Sequence, residues 1–497
     1  MKKNIVFVVS LCIVLVLVGI GILDPEFLNS VSSLLHQWII NTFGWFYLLS
    51  TFVFLVFSIG LALSRYGKIK LGLDYEKPQY SYFGWFSMLF AAGMGIGLIF
   101  WGVAEPVSHY MSPPGYIQAF SGEAAKFAMS RSFFHWGLHP WAVYIVMSLS
   151  IAYFSFRRGM PPLLSSCFYP IVGERIYGVT GKTIDILAVF ATVFGIATSL
   201  GLGALQITSG LAFVFHLPDT LFVTAIVITC VTVMFMISSM TGLDKGIQLL
   251  SKTNIMIALV LLVFMLVTGP TAYIFNVFTS TLGDYFSSLL SMSLTSNPFQ
   301  GYEWTKNWTL FYWAWWIAWA PFVGLFVASI SRGRTIREFV SGALMVPTLL
   351  TFLWFSVFGG AGLNLQINEQ IPISDAVADN ISTALFVLFS HYPLSSLLSF
   401  VAVLLLIVFF VTSADSATYV LAMMTSGGNR NPSPAKKIAW GVTVSATSLI
   451  LLMSGGLESL QRMSIAAALP LVVIMLFLVW CILKGLMYEF REKDSSL

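Results

Sequence analysis

Three short stretches of this chain carry side chains and backbone that could do chemistry. The first is Trp308-Thr309-Leu310-Phe311-Tyr312-Trp313-Ala314-Trp315-Trp316-Ile317-Ala318-Trp319-Ala320-Pro321-Phe322. Trp308 suits a membrane interface, where aromatic belts form. Trp313, Trp316 and Trp319 descend past it in steps of three. Each step turns the side chain about 60° back around a helix axis. The rings therefore wrap the helix instead of stacking in one line. Trp136, Trp141 and Tyr144 surround Pro140 in an earlier segment. A box of electron-rich ring faces suits a quaternary ammonium, which has no N–H and is held mainly by cation–π attraction. Any one ring alone reads as core packing; the set favours the box. The second stretch is Ala91-Ala92-Gly93-Met94-Gly95-Ile96-Gly97-Leu98. Three glycines at alternate positions are costly in a helix, and a broken helix at membrane depth is tolerated where its backbone lines a cavity. Close helix packing through small residues is the alternative. The third is Phe409-Phe410-Val411-Thr412-Ser413-Ala414-Asp415-Ser416. Adjacent hydroxyls are hard oxygen ligands of the kind a small cation needs, although a Ser or Thr in a helix often bonds back to the preceding turn. Asp415 is an expensive group inside a membrane, fit to carry a proton or to hold its neighbours in place.

The elements that position these groups follow from the polarity pattern. Of 497 residues, 58% are hydrophobic and 9% charged, where soluble proteins carry about 25% charged residues. The apolar residues lie in long runs, predicting twelve membrane segments at 4–23, 39–63, 82–104, 132–154, 183–216, 219–241, 253–276, 308–330, 338–363, 394–424, 437–455 and 462–486. About 20 apolar residues cross the hydrocarbon core as a helix. Every backbone amide must be paired there, so the runs are helices. The short alternating strands of a barrel are not seen. Lys2 and Lys3 precede the first run, but it is too long for a signal peptide and no small-x-small site comes before Asp24. Bulky Leu11 before Cys12 argues against a lipoprotein. With the N-terminus inside, 21 of the 25 basic residues fall on the cytoplasmic side. Both termini are then cytoplasmic, and the net charge of +4 is a positive-inside bias, not a nucleic-acid patch.

The polar connections at 105–131, 277–307 and 364–393 are the longest, and 276–298 is mildly amphipathic, fit for a helix on the outer surface. No nucleotide-binding module is seen. Cys12, Cys167, Cys230 and Cys481 are scattered and point to neither disulfides nor a metal site. His135 and His139 have metal-ligand spacing on one helix face, with no evident carboxylate partner.

These motifs together resemble the betaine/carnitine/choline transporter family, and within it the bacterial glycine betaine uptake members. The resemblance rests on Gly93–Leu98 with Trp101-Gly102-Val103-Ala104-Glu105-Pro106, on His135–Trp141, and on Phe194-Gly195 through Gly201-Leu202-Gly203-Ala204. It rests also on the tryptophan run, on Ser331-Arg332-Gly333-Arg334-Thr335-Ile336-Arg337-Glu338-Phe339, and on Thr412–Ser416; it covers residues 10–487. It implies a multi-pass secondary transporter of the bacterial cell membrane, not an enzyme, in one domain (1–487) with a short cytoplasmic tail (488–497). The implied fold is an all-α, LeuT-like inverted repeat. Two peripheral helices (4–63) precede a first repeat at 82–276 (segments 3–7) and a second at 308–486 (segments 8–12). By the same resemblance the chain is a homotrimer that takes up a trimethylammonium zwitterion, most simply glycine betaine as an osmoprotectant, by Na⁺ symport. No cofactor other than the coupling ion is implied.

Trp136, Trp141, Tyr144 and Trp316 would then cage the trimethylammonium group. Trp313 and Trp319 would line the pathway, Phe311 would lie above, and Gly93, Gly95 and Gly97 would face the substrate carboxylate. Trp315 is expected to point away. Ala91, Met94, Phe409, Thr412 and Ser413 would bind Na⁺. A second ion site would include Thr192 and Phe322, where Ile196 replaces a hydroxyl. Proton-coupled choline members resemble this pattern with an Asp at the position of Gly97, and cation-independent carnitine exchangers with an Arg in the fifth segment. Residues 186–216 hold no Lys or Arg, which favours Na⁺ coupling over exchange.

Overall fold

The computed structural model describes residues 5–93, 95–241 and 244–494, with no side chain described at 91–93, 241, 244–251 or 492–494. Every regular segment among the described residues is helical. In chain order the helices are α1 (Ile5–Leu23), α2 (Pro25–Leu63), α3 (Tyr82–Gly93), α4 (Ile96–Met111), α5 (Gly122–Trp136), α6 (Leu138–Ala152), α7 (Tyr169–Val172), α8 (Val179–Phe215) and α9 (Leu221–Thr241). There follow α10 (Asp244–Thr268), α11 (Thr271–Leu294), α12 (Tyr302–Asn307), α13 (Thr309–Ile330), α14 (Ile336–Ile367), α15 (Ile373–Asp379), α16 (Ala384–Ser390), α17 (Ser395–Met424) and α18 (Pro434–Asp494).

Nine helical stretches among the described residues are long and apolar enough to cross a membrane, or ten if the bent pair at 252–294 counts as one span. Their boundaries depart from hydropathy where local chemistry intervenes. α2 begins fourteen residues before the expected start, because the Asp24 carboxylate accepts the Phe27 N–H at 2.9 Å and Pro25 opens the first turn. The seventh segment stops at Thr268 instead of 276. Gly269-Pro270 ends it, Pro270 having no N–H to continue the ladder, and α11 leaves at 110°. Segments eleven and twelve are joined in α18, which turns at Gly455 and Gly456; the positive φ of +61° at Gly456 needs glycine.

The Arg-Gly-Arg motif serves as a latch between loops. Leu71 N–H donates to the Arg334 carbonyl at 2.8 Å, Gly333 N–H to Leu71 at 2.7 Å and Ile336 N–H to Ile69 at 2.8 Å. Arg334 stacks over Trp85 at 4.1 Å. Arg332 pairs with Glu76 and holds that carboxyl below its ordinary value. Above this latch α13 is surrounded by α6, α8, α18 and α2, and nearly every residue from Thr309 to Leu325 is buried. A helix apolar all round is one packed on all sides.

Candidate functional site

The glycine run does break its helix. α3 ends at Gly93 and α4 begins at Ile96, with Gly95 between them at φ −77°, ψ −119°. Of the expected site residues here, Met94 lies outside the described residues, and so do the side chains at Ala91 and Gly93. A second break was not foreseen. α5 ends at Trp136, Gly137 takes φ −92°, ψ −131°, and α6 begins at Leu138. A methyl group on Gly137 would lie 2.6 Å from the Phe133 carbonyl oxygen. The Tyr285 hydroxyl of α11 accepts the freed Leu138 N–H at 3.1 Å. This corner puts Trp136 on one helix and Trp141 and Tyr144 on the next.

The four expected cage rings are contiguous. Trp136 meets Trp316 edge-to-face at 4.8 Å, Tyr144 meets Trp316 at 6.2 Å, and Trp141 meets Tyr144 at 5.7 Å, with interplanar angles of 78°, 80° and 82°. Trp136 and Trp316 border a small cavity at the α3–α4 break, together with Gly95, Gly97, Trp315 and Trp319. Ser199 and Ser413 are its hydroxyl-bearing walls. Its volume of about 10 Å³ holds one water-sized sphere, so a trimethylammonium group enters only when the rings part. Trp141 and Tyr144 are not part of this lining, and the Tyr144 hydroxyl and Trp141 N–H have no hydrogen-bond partner among the described residues.

Trp315 departs from expectation. It stacks on Trp316 at 4.8 Å and 16° and on Phe311 at 5.6 Å and 12°, and its indole N–H donates to Ser199 Oγ at 3.2 Å. It faces the break: a Cβ on Gly97 would come 2.6 Å from its ring and 3.0 Å from Trp136. α13 is packed on all sides, so its burial pattern does not say which of its faces meets the site. Trp313 goes the other way, stacked on His139 at 5.2 Å and edge-on to Phe134 at 5.0 Å, apart from the cavity lining. Trp319 lines the cavity, its N–H bonded to the Gly195 carbonyl at 2.8 Å.

The remaining expected ion ligands come from α17 (Phe409, Thr412, Ser413), α8 (Thr192) and α13 (Phe322). Phe409 and Ser413 lie against Gly95, 3.5 and 3.7 Å from where its Cβ would stand. Thr412 donates to the Val408 and Phe409 carbonyls at 2.8 and 3.2 Å, yet its oxygen retains lone pairs. Thr192 donates to Ala188 at 2.7 Å; Ile196, one turn on, is buried, and Phe322 lies against Trp319 at 5.2 Å. Asp415 is buried on the same helix as Thr412.

One residue that the sequence reading quoted in a motif but gave no role lies at the centre of the site. Glu105 was assigned to a polar connection, but α4 continues to Met111 and leaves it fully buried. Its Oε1 lies 2.7 Å from His135 Nδ1 and 3.2 Å from His109 Nε2. Its Oε2 accepts from the Trp136 indole at 2.7 Å and from the Tyr312 hydroxyl. So His135 does have a carboxylate partner, and its companion is His109, their ligand atoms lying within 4.8 Å of one another. His139 is separated from it by the Gly137 break and pairs with Ser293 Oγ at 2.9 Å. The available signal was a carboxylate one residue past an apolar run, with a histidine four residues further on.

The chain matches the family described as "BCCT, betaine/carnitine/choline family transporter" over residues 5–491. It is 48% identical over 476 residues to the glycine betaine transporter OpuD of Bacillus subtilis, covering 95% of this chain and 92% of that protein. It is 46% identical over 478 residues to an ectoine/hydroxyectoine transporter of Virgibacillus pantothenticus, covering 96% and 95%. To a high-affinity choline transport protein of Escherichia coli it is 41% identical over 465 residues, covering 93% and 68%. Relatives named for three different substrates thus lie within seven percentage points of one another. Identity alone does not choose among them, and the choice falls to the rings around Gly97. With that match spanning nearly the whole chain, this multi-pass plasma-membrane protein belongs to the betaine/carnitine/choline transporter family.

Proposed function

We propose that the chain takes up glycine betaine by Na⁺ symport. The observation that carries this reading is the meeting of Trp136, Trp315 and Trp316 with Gly97 at the broken helix. Ring faces there suit a trimethylammonium group, and the N–H groups opening α4 suit a carboxylate. One zwitterion fits both ends. Gly97 leaves no carboxylate to partner a substrate that lacks its own, which argues against choline.

Sodium is favoured over a proton by the hydroxyl of Ser413 and the ring of Phe409 at the break. Ion binding there would tie α17 to the α3–α4 corner that lines the substrate cavity. Linkage requires each ligand to tighten the other by the same factor.

Twelve spans follow if α3 with α4 forms one broken span, α10 forms one, and α18 forms two. At about 1.5 Å per residue, the 58 residues of α18 from Pro434 to Arg491 reach nearly three times the ~30 Å hydrocarbon core. The inverted repeat, the cytoplasmic termini and the trimer belong to this same reading.

Uptake of labelled glycine betaine into proteoliposomes tests it. Concentrative uptake is expected with an inward Na⁺ gradient, and none when K⁺ replaces Na⁺ under an inward proton gradient. Substantial uptake on the proton gradient alone would overturn sodium coupling. Stronger competition by ectoine or choline than by unlabelled betaine would overturn the substrate.

A further inference from the structure

Behind the cage, the buried carboxylate of Glu105 holds the wall that the substrate would touch. Its two oxygens meet four partners, two on each: His135 and His109 at Oε1, and the Trp136 N–H and Tyr312 O–H at Oε2. An indole N–H can only donate, whereas an ionised carboxylate accepts from several donors at once. Three of these partners bear on the cage. Trp136 is one of its rings. Tyr312 stands one turn before Trp316 and stacks on it at 6.1 Å and 24°. The His135 carbonyl accepts the Trp316 N–H at 3.0 Å. A single carboxylate thereby fixes the planes of both rings that border the cavity.

We propose that Glu105 is the specificity-determining residue for a cationic headgroup: it sets the Trp136 and Trp316 planes and places a negative charge at the N–H edge of the Trp136 ring. This rests on the reading of those rings as the substrate cage. An anion accepting the indole N–H pushes electron density toward the ring face and strengthens its pull on a cation. In a water-poor interior that charge also reaches the bound cation with little screening. A neutral group of the same shape gains neither benefit. A metal ion held by Glu105, His109 and His135 is the competing use of the cluster. It is disfavoured because Oε1 already meets both histidines and Oε2 is taken by two donors.

The test compares betaine with 3,3-dimethylbutyrate, which keeps the carboxylate and replaces the trimethylammonium by a neutral group of the same shape. Both are measured as competitors of labelled betaine uptake in proteoliposomes. Glu105→Gln is expected to raise betaine half-saturation about ten-fold, and to narrow the preference for betaine over the neutral compound at least about three-fold. Glu105→Asp keeps the charge and is expected to hold that preference within about two-fold while affinity falls. A Gln variant with reduced uptake but unaltered preference would make Glu105 a packing residue and overturn the proposal. An Asp variant that loses the preference overturns it equally, including where the Gln variant fails to reach the membrane. Trp316→Leu in the same assay separates the two layers. If it leaves betaine half-saturation unchanged, the cage reading itself fails. If it weakens betaine while Glu105→Gln does not, only the role of Glu105 fails.

Discussion

The aromatic wall and the hydroxyl pair of α17 both meet the same helix break, where Ser413 shares the cavity lining with the rings, and they are held very differently. Each indole at the cavity is pinned to a fixed acceptor outside its own helix: Trp136 to Glu105, Trp315 to Ser199, Trp316 to the His135 carbonyl and Trp319 to Gly195. The Thr412 hydroxyl is instead bonded back to its own α17 backbone. A site with fixed groups loses little conformational entropy when it binds. A site whose hydroxyls must be recruited orders only when its ligand arrives. The difference teaches that each ring is oriented in advance by its own acceptor, while the proposed ion site would be completed by the ion itself.

If that contrast holds, crowding the wall should do the most damage. Gly97→Ala places a methyl group 2.6 Å from the Trp315 ring and 3.0 Å from Trp136, both of which are pinned. Uptake is expected to fall by more than about 30-fold, as overpacking a rigid site costs roughly 1–3 kcal/mol and distorts it. Near-normal uptake would show that the wall yields. Trp316→Leu keeps apolar bulk but removes the ring face; betaine half-saturation should rise about 5–30-fold, the range for a desolvated cation–π contact.

At the proposed ion site, the Thr412→Ala, Ser413→Ala double variant should need about ten-fold more Na⁺ for half-maximal uptake, with betaine affinity at saturating Na⁺ little changed. An equal loss in both titrations would mean that the hydroxyls are preorganised too, and the contrast would collapse. The smallest effect is expected at Trp315, which supports Trp316 and Gly97 from one side. Trp315→Leu should weaken betaine by about 3–5-fold, less than Trp316→Leu, since it removes stacking support rather than the principal ring. A full 30-fold loss would make Trp315 the principal ring instead.

Much of this was legible in the sequence because the governing physics is local. Inside lipid a backbone must satisfy its own hydrogen bonds, so long apolar runs in this chain had to be helices. Glycines at 93, 95 and 97 had to weaken one of them, and the concentration of rings in α13 pointed to the ligand chemistry proposed above. Boundaries were less legible, since Asp24-Pro25 and Gly269-Pro270 override hydropathy through capping and a missing N–H.

What only the tertiary structure decided is which way groups face and what surrounds them. Trp315 and Trp313 are two residues apart in one helix, yet one lines the cavity and the other stacks on His139; helical spacing gives their relative angle but not the direction of the site. Glu105 read as the start of a loop until α5 and α13 enclosed it. A carboxylate's burial and partners come from helices far away in sequence, His135 thirty residues on and Tyr312 more than two hundred. Sequence sets the covalent order and the local hydrogen-bond demands of a chain; the packing of distant helices sets the dielectric and the neighbours that turn those residues into a site.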